Sequence, residues 1–339
     1  MAESLAVTYR PQEFNEVCSQ RSVIQILEKQ LVQKDVKNCY LFCGPSGTGK
    51  TTISRIYAHK LNEGIGQPIE IDAASNSGVE NVRQIIKAAQ ERSLQGKYKV
   101  YILDECHSFS NAAWQAFLKC IEEPPRYTIF MFCTTDPQKI PATILNRVCR
   151  FNLTRIPTAQ IKERLLYIAQ QEGFSNYEDA CDYISKLANG GMRDAIATLD
   201  KAASFDTDLS MKNVLEALGN YSYSTFIDLA NAFIDCDQAT IFKVVSSYYE
   251  QGNDLKLFVD QFLSFMIDVT KYSIFKSFDM IRVPSTMKGE LDRVINIQNA
   301  SQYFSYVVDR LLDTKNMIKN DSQIKSTVEI MFLRIARGQ

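Results

Sequence analysis

Gly44-Pro45-Ser46-Gly47-Thr48-Gly49-Lys50-Thr51-Thr52 is a G-x-x-x-x-G-K-T loop, and its reading decides the fold. The apolar pentad Cys39-Tyr40-Leu41-Phe42-Cys43 before it has the length of a buried strand. After it, Ile53-Ser54-Arg55-Ile56-Tyr57-Ala58-His59-Lys60-Leu61 repeats apolar residues at helical spacing. A glycine-rich turn between strand and helix offers backbone N–H groups and a helix N-terminus to phosphate oxygens. The expected ligand is therefore ATP, held by the loop residues Gly44 to Thr52. Lys50 would reach its β- and γ-phosphates, and the Thr51 hydroxyl would ligate Mg²⁺.

A second signature lies some fifty residues on. Lys99-Val100-Tyr101-Ile102-Leu103-Asp104-Glu105 is an apolar strand ending in two carboxylates. Asp104 is expected to hold Mg²⁺ and its waters, and Glu105 to polarise the water that attacks the γ-phosphate. Thr128-Ile129-Phe130-Met131-Phe132-Cys133 is a further strand, ending at Thr134-Thr135-Asp136. Polar residues at strand ends of an open α/β sheet face the ligand crevice, so Thr135 is a candidate sensor of γ-phosphate or water. A threonine that merely caps its strand is the alternative.

Around these landmarks the chain alternates. Leu5 to Pro11 reads as extended and Ser22 to Leu31 as an amphipathic helix. Pro68 to Asp72 reads as a strand, and a helix follows from Val79 to Glu91. Ser75, Asn76 and Ser77 are candidate N-caps, with a binding role as the other possibility. Another helix spans Asn111 to Glu123 and is stopped by Pro124-Pro125. Strand–helix alternation to about residue 155 predicts a doubly wound parallel sheet with helices on both faces. Beyond it the pattern is helical: Thr158–Glu172, Tyr177–Asn189, and Met192–Phe205 after the Gly190-Gly191 break. From Ser222 onward it is helical and rich in aromatics, among them Phe226, Phe233, Tyr248, Tyr249, Phe258, Phe262, Phe265, Tyr303, Phe304 and Phe332. These read as the core of an all-α domain with a break at Phe278–Thr286. Three domains are expected: an α/β domain over 1–155, a small helical domain over 156–219 and an all-α domain over 222–339.

Bulk properties narrow the class. The 339 residues are 45% hydrophobic and 23% charged, with a net charge of −1, as in an ordinary globular protein. No apolar run approaches the ~20 residues of a membrane span, and Met-Ala-Glu-Ser is no signal peptide. A cytoplasmic protein without membrane partners is the expectation. The nine cysteines include no C-x-x-C, and only His59 and His107 could supplement them, so they read as reduced and mostly buried thiols. The charge gives no global sign of nucleic-acid binding, although a local basic face would suffice.

Together the motifs resemble the AAA+ ATPases of sliding-clamp loaders, and more narrowly the bacterial DNA polymerase III gamma/tau type. The resemblance is carried, in the family's order across residues 5–219, by Tyr9-Arg10-Pro11-Gln12-Glu13-Phe14, the loop Gly44–Thr51, and Ile69-Glu70-Ile71-Asp72-Ala73-Ala74-Ser75-Asn76. It continues through Leu103-Asp104-Glu105-Cys106-His107, Leu118-Lys119-Cys120-Ile121-Glu122-Glu123-Pro124-Pro125 and Thr134-Thr135-Asp136-Pro137-Gln138-Lys139-Ile140-Pro141. Ile144-Leu145-Asn146-Arg147 and Gly191-Met192-Arg193-Asp194-Ala195 complete it, with a weaker match at Val328 to Arg334.

The resemblance implies a P-loop AAA+ domain, a helical lid and a helical collar that assembles with other loader subunits into a ring, pentameric in the family. It adds Arg10 and Arg193 to the groups around the nucleotide. Arg147 would act in trans on the neighbouring subunit's γ-phosphate. It also implies a sliding clamp and primer-template DNA as partners, with DNA at Ser75-Asn76-Ser77. Phe109 and Trp114 are either apolar anchors for the clamp or core residues. The rival readings are another AAA+ motor, such as a branch-migration helicase or helicase loader, and an idle ring scaffold. Intact Lys50, Thr51, Asp104 and Glu105 argue against the scaffold.

Two departures matter. The family's Ser-Arg-Cys is Asn146-Arg147-Val148 here, with Ile144-Leu145 and Phe151 keeping the register. The family's four-cysteine zinc module is replaced by a short cysteine-free connection, Leu61 to Pro68, and a chain ending near the collar, without the long tail of the tau form, is the expectation. A compact variant, as in a phage or bacterial host, is expected. Metal analysis of the purified protein should accordingly find no stoichiometric zinc, and a chelator should leave its melting temperature unchanged. One tightly held zinc per chain would overturn the reading of Leu61–Pro68 as a plain connector.

Overall fold

The apolar strands of the sequence pair as β1 (Cys39–Cys43), β2 (Ile69–Asp72), β3 (Lys99–Asp104), β4 (Thr128–Thr134) and β5 (Cys149–Asn152). In the computed structural model, which describes residues 3–93, 96–219, 223–284 and 287–338, they form one wholly parallel sheet in the order β2-β3-β4-β1-β5. Ser222 and Thr286, which bound two of the expected segments, lie outside the described residues. β1 and β4 are buried along their whole length, as strands covered on both faces must be.

The period of two divides their side chains between two cores. Tyr40, Phe42, Ile102, Ile129 and Met131 pack with Ile53, Ile56 and Tyr57 of the helix Lys50–Leu61 and with Leu27 of the helix Arg21–Gln33. Leu41, Tyr101, Leu103, Phe130 and Phe132 pack on the other face with Trp114 and Phe117 of the helix Asn111–Glu122 and Val82 of the helix Val79–Ala89.

This second core decides the case of Phe109 and Trp114. They are 5% and 1% exposed and meet edge to face at 5.4 Å, so neither ring is a surface anchor. Four further local expectations are corrected. Leu5–Thr8 is a helical turn rather than extended chain, because the Ser4 carbonyl accepts from Val7 and Thr8 while Leu5 is buried. The helix from Val79 stops at Ala89 and is preceded by Gly78 as its N-cap. Ser75 and Asn76 instead turn back on Asp72: the Ser75 hydroxyl donates to Asp72 Oδ2 at 2.7 Å and Asn76 Nδ2 to the Asp72 carbonyl at 3.0 Å. Tyr177–Asn189 shortens to a helix over Glu178–Leu187.

Compactness divides the chain into Met1–Ile168 with Ala188–Asp200, and Ala169–Leu187 with Lys201–Gln339. The division cuts the helices Thr158–Glu172 and Met192–Phe205, both within the segment 156–219 expected to be the lid. The second unit is helical, and its core gathers Phe226, Phe233, Phe258, Phe262, Phe304 and Phe332 as the sequence pattern required. Tyr249 is the exception, half exposed with the Lys325 ammonium 5.3 Å from its ring centre. The buried Asp268 carboxylate accepts from Arg282 N at 3.1 Å and Nε at 3.0 Å, which satisfies a charge that would otherwise be costly there. Among the described residues no helix is long and apolar enough to cross a membrane. Cys39, Cys43, Cys106, Cys120, Cys133 and Cys181 are buried free thiols, whereas Cys236 is exposed.

Phe117→Ala should destabilise the first unit by about 3–5 kcal/mol, since the ring is fully buried between Trp114 and the sheet. Urea unfolding followed by fluorescence of Trp114, the chain's single tryptophan, measures this directly. A loss below about 1 kcal/mol would contradict the packing described.

Candidate nucleotide site

The cleft opens where the loop leaving β1 and the C-terminal end of β3 meet the helix Lys50–Leu61, with Thr135 at the end of β4 behind Glu105. Register brings them level: Cys43 lies opposite Thr134 and Leu103 opposite Phe132. The chain leaving β1 must then turn in very little space. A Cβ on Gly44 would lie 2.6 Å from the Leu153 carbonyl oxygen, and one on Gly47, at φ +71°, would lie 3.0 Å from Gly191 Cα. Gly49, at φ +100°, takes the left-handed conformation that starts the helix.

Lys50 is the first residue of that helix and is only 6% exposed. Its Nζ donates to the carbonyls of Gly44 and Pro45, each at 2.9 Å. Burial holds its pKa below the usual lysine value, with the nearby Glu105 charge acting in the opposite direction. Thr51 Oγ1 donates to Asp104 Oδ2 at 2.8 Å, across from the phosphate loop. A hydroxyl beside one carboxylate fits Mg²⁺, which keeps waters and takes phosphate oxygens to complete its shell. Among the described residues no three His, Cys, Asp or Glu side chains cluster as a metal cage.

Glu105 has a left-handed backbone, φ 47°, unusual for a side chain of this kind. Its Oε2 accepts from Thr135 Oγ1 at 3.0 Å and stands 3.2 Å from His107 Nδ1. The same imidazole nitrogen is 3.2 Å from Thr134 Oγ1, which also accepts from the Asp136 N–H. Thr135 is thus joined to Glu105, two residues that the sequence marked separately. His107 was not marked as a site residue; its position two residues after Glu105, on the tight turn Cys106–Ser108, was the available signal.

Arg10 and Arg193 also line the cleft, with Tyr9, Met192 and two arginines that sequence reasoning missed, Arg55 and Arg164. Arg55 pairs with Glu70, and Arg164 Nη2 donates to the Tyr9 carbonyl at 2.9 Å. The helix carrying Arg193 is fastened to the loop by Met192 N–H donating to the Gly47 carbonyl at 2.9 Å. No periodic pattern could have signalled Arg55 or Arg164, because each belongs to an ordinary amphipathic helix.

Arg147 is not among the residues lining this cleft. It follows the turn Ala142–Leu145, partly exposed, with Nη1 donating to the Thr143 carbonyl at 2.7 Å. Arg150 lies on β5, its Nε donating to Asn152 Oδ1 at 2.9 Å. Ser75, Asn76 and Ser77 also lie outside the cleft. The Ser77 carbonyl accepts from Ser110 N–H at 3.1 Å, which draws the starts of the helices Val79–Ala89 and Asn111–Glu122 together.

Similarity to known proteins extends over most of the chain. Residues 67–157 match the family described as DNA polymerase III, delta subunit, and residues 160–206 the DNA polymerase III clamp loader subunit, ATPase lid domain. Residues 209–338 match DNA polymerase III subunits gamma and tau domain III. The tau subunit of DNA polymerase III from Bacillus subtilis is 30% identical over an alignment of 357 positions, covering 99% of this chain and 63% of that protein. The Escherichia coli tau subunit is 33% identical over 270 positions, covering 73% of this chain and 42% of that one. The chain therefore spans about half the length of these relatives. Among solved structures, the Thermotoga maritima RuvB Holliday junction branch migration motor superposes with a TM-score of 0.53 at 18% identity, covering 73% of this chain and 86% of that one. That likeness is one of fold, the AAA+ arrangement of sheet and helices. The chain belongs to the clamp-loader family of DNA polymerase III subunits of the gamma/tau type.

Proposed function

We propose that this chain is an ATP-hydrolysing subunit of a clamp loader, which opens a sliding clamp and places it on primer-template DNA in a bacterial cytoplasm. The observation that carries the reading is the pair of contacts at neighbouring strand ends, Thr51 to Asp104 and Glu105 to Thr135, beside a buried Lys50. The loop N–H groups and Lys50 would hold the triphosphate, and Arg193 would meet it from the helix that Gly47 fastens. Bound Mg²⁺ on Thr51 and Asp104 would neutralise charge on the phosphates. Glu105, oriented by Thr135 and His107, would take the proton of the attacking water.

Arg147, set apart from its own subunit's cleft, suits a role in the pocket of a neighbour in a ring, pentameric as in the family. DNA would meet the paired helix starts at Gly78 and Ser110, whose backbone N–H groups favour phosphate oxygens over base edges. Because Phe109 and Trp114 are buried, clamp contact falls to other side chains of that segment. With no cysteine in the connection Leu61–Pro68, the ligands of this reading are ATP and Mg²⁺. The branch-migration alternative rests on fold likeness alone, whereas matches to the lid and to domain III favour the loader. The deciding experiment is steady-state ATPase of the assembled loader: clamp and primer-template together should stimulate it more than either alone. A branch-migration motor would respond to junction DNA without any clamp.

Within the site, Lys50→Ala should abolish productive ATP binding and leave the fold intact. Glu105→Gln should retain ATP while hydrolysis falls by roughly 10²–10⁴. Nucleotide titration and phosphate release separate the two, and a wild-type rate in Glu105→Gln would remove Glu105 from its role.

Arg147→Ala should leave nucleotide affinity of the isolated subunit unchanged and lower stimulated hydrolysis in the ring by up to ~10³–10⁵. Mixing it with Lys50→Ala subunits should restore part of the activity, because a wild-type pocket then meets a donated Arg147. If Arg150→Ala abolishes stimulation while Arg147→Ala retains it, the assignment moves to Arg150.

A further inference from the structure

The Arg147 guanidinium is gripped from two directions. One is local: Nη1 donates to the carbonyl of Thr143, four residues earlier. The other comes from a different element, since Nη2 lies 2.8 Å from Oε1 of Glu122, the last residue of the helix Asn111–Glu122. Both elements are anchored in the same core. Cys120 and Ile121 are buried immediately before Glu122, and Ile144 is buried three residues before Arg147. The two side chains themselves remain 43% and 39% exposed.

Stability does not explain this placement. A carboxylate in the last turn of a helix faces the negative end of the macrodipole, and an exposed ion pair contributes little to folding. What the pair does is select one orientation of a long, flexible side chain. An arginine that must reach a phosphate on another molecule loses less rotamer freedom when its plane is already set. Two of the five N–H donors of the guanidinium are engaged by Thr143 and Glu122, which leaves the others for a partner. Arg150 is held differently: it donates to the Asn152 amide oxygen on its own strand and lies against the Cys43 side chain of β1.

We infer that Glu122 is the positioning residue for Arg147, holding its guanidinium in the orientation in which it meets the neighbouring subunit's γ-phosphate. The inference rests on the reading of Arg147 as a group donated in trans. It assigns Glu122 no contact with the nucleotide. Its effect is therefore expected in turnover and not in nucleotide affinity.

The test uses the full chain assembled with its partner subunits, clamp and primer-template DNA. Glu122→Ala should lower the stimulated kcat by roughly tenfold to a hundredfold, the cost of a misplaced catalytic group, with KM for ATP unchanged. The isolated subunit should keep its nucleotide affinity and melting temperature. Glu122→Gln retains an oxygen that can accept from Nη2, so it should recover most of the rate, a rescue that a purely structural loss would not give. In an Arg147→Ala background, Glu122→Ala should have no further effect. If Arg147→Ala collapses stimulation but Glu122→Ala is silent, the positioning role is wrong and the trans arginine stands. An equal loss from Glu122→Ala in both backgrounds would likewise overturn it, by showing that Glu122 acts elsewhere. Wild-type stimulation in Arg147→Ala would remove the trans reading, and the inference with it.

Discussion

The site depends on the parallel pairing of β1 with β4. Because Cys43 is level with Thr134, the Gly44 N–H can still donate to the Thr134 carbonyl at 3.2 Å as the chain departs from the sheet. That last rung fixes the origin of the phosphate loop beside the strand end that carries Thr134 and Thr135. β3, paired to β4 on its other side, delivers Asp104 and Glu105 to the same edge. A slip of one residue in either pairing would invert the side-chain alternation and send Leu41 and Phe132 to the wrong core. Packing on both faces of the sheet thus sets the register, and register sets the chemistry.

The loop adds a constraint of space. At Gly44 the nearest obstacle is the backbone of Leu153, just beyond β5, and at Gly47 it is the backbone of Gly191. Backbone cannot rotate aside as a side chain can, so Gly44 excludes a Cβ outright, while at Gly47 a Cβ would crowd Gly191 and add the strain of a positive φ. The contact at Gly47 also ties the loop to the helix Met192–Phe205, through the hydrogen bond from Met192. Arg193 consequently stands where it does because of a glycine in the loop itself.

Much of this was legible in the sequence, for identifiable reasons. β1, β3 and β4 are central strands, and burial on both faces leaves continuous apolar runs that need no periodicity to be noticed. β5 escaped because it is an edge strand in which Arg150 and Asn152 are exposed and only Phe151 is buried. Leu5–Thr8 was misread because a single helical turn is too short to display a period, and Ser75-Asn76-Ser77 because the same side chains that cap helices also close turns on an aspartate. The motif residues Lys50, Thr51, Asp104 and Glu105 could be named in advance. Arg55 and Arg164 could not, because they reach the site through tertiary geometry; His107 offered only its place two residues after Glu105, and Phe109 and Trp114 were ambiguous between core and surface until packing placed them.

The left-handed backbone at Glu105 has a consequence for how this position can vary. A non-glycine residue in that conformation costs roughly 1–2 kcal/mol, which a glycine would avoid. Glycine would relieve that strain, and with it would go the carboxylate that Thr135 and His107 meet. A substitution aimed at backbone relaxation alone would place glycine here, at the cost of the carboxylate that the proposed hydrolysis needs. Backbone relaxation and the proposed turnover thus make opposite demands on a single position.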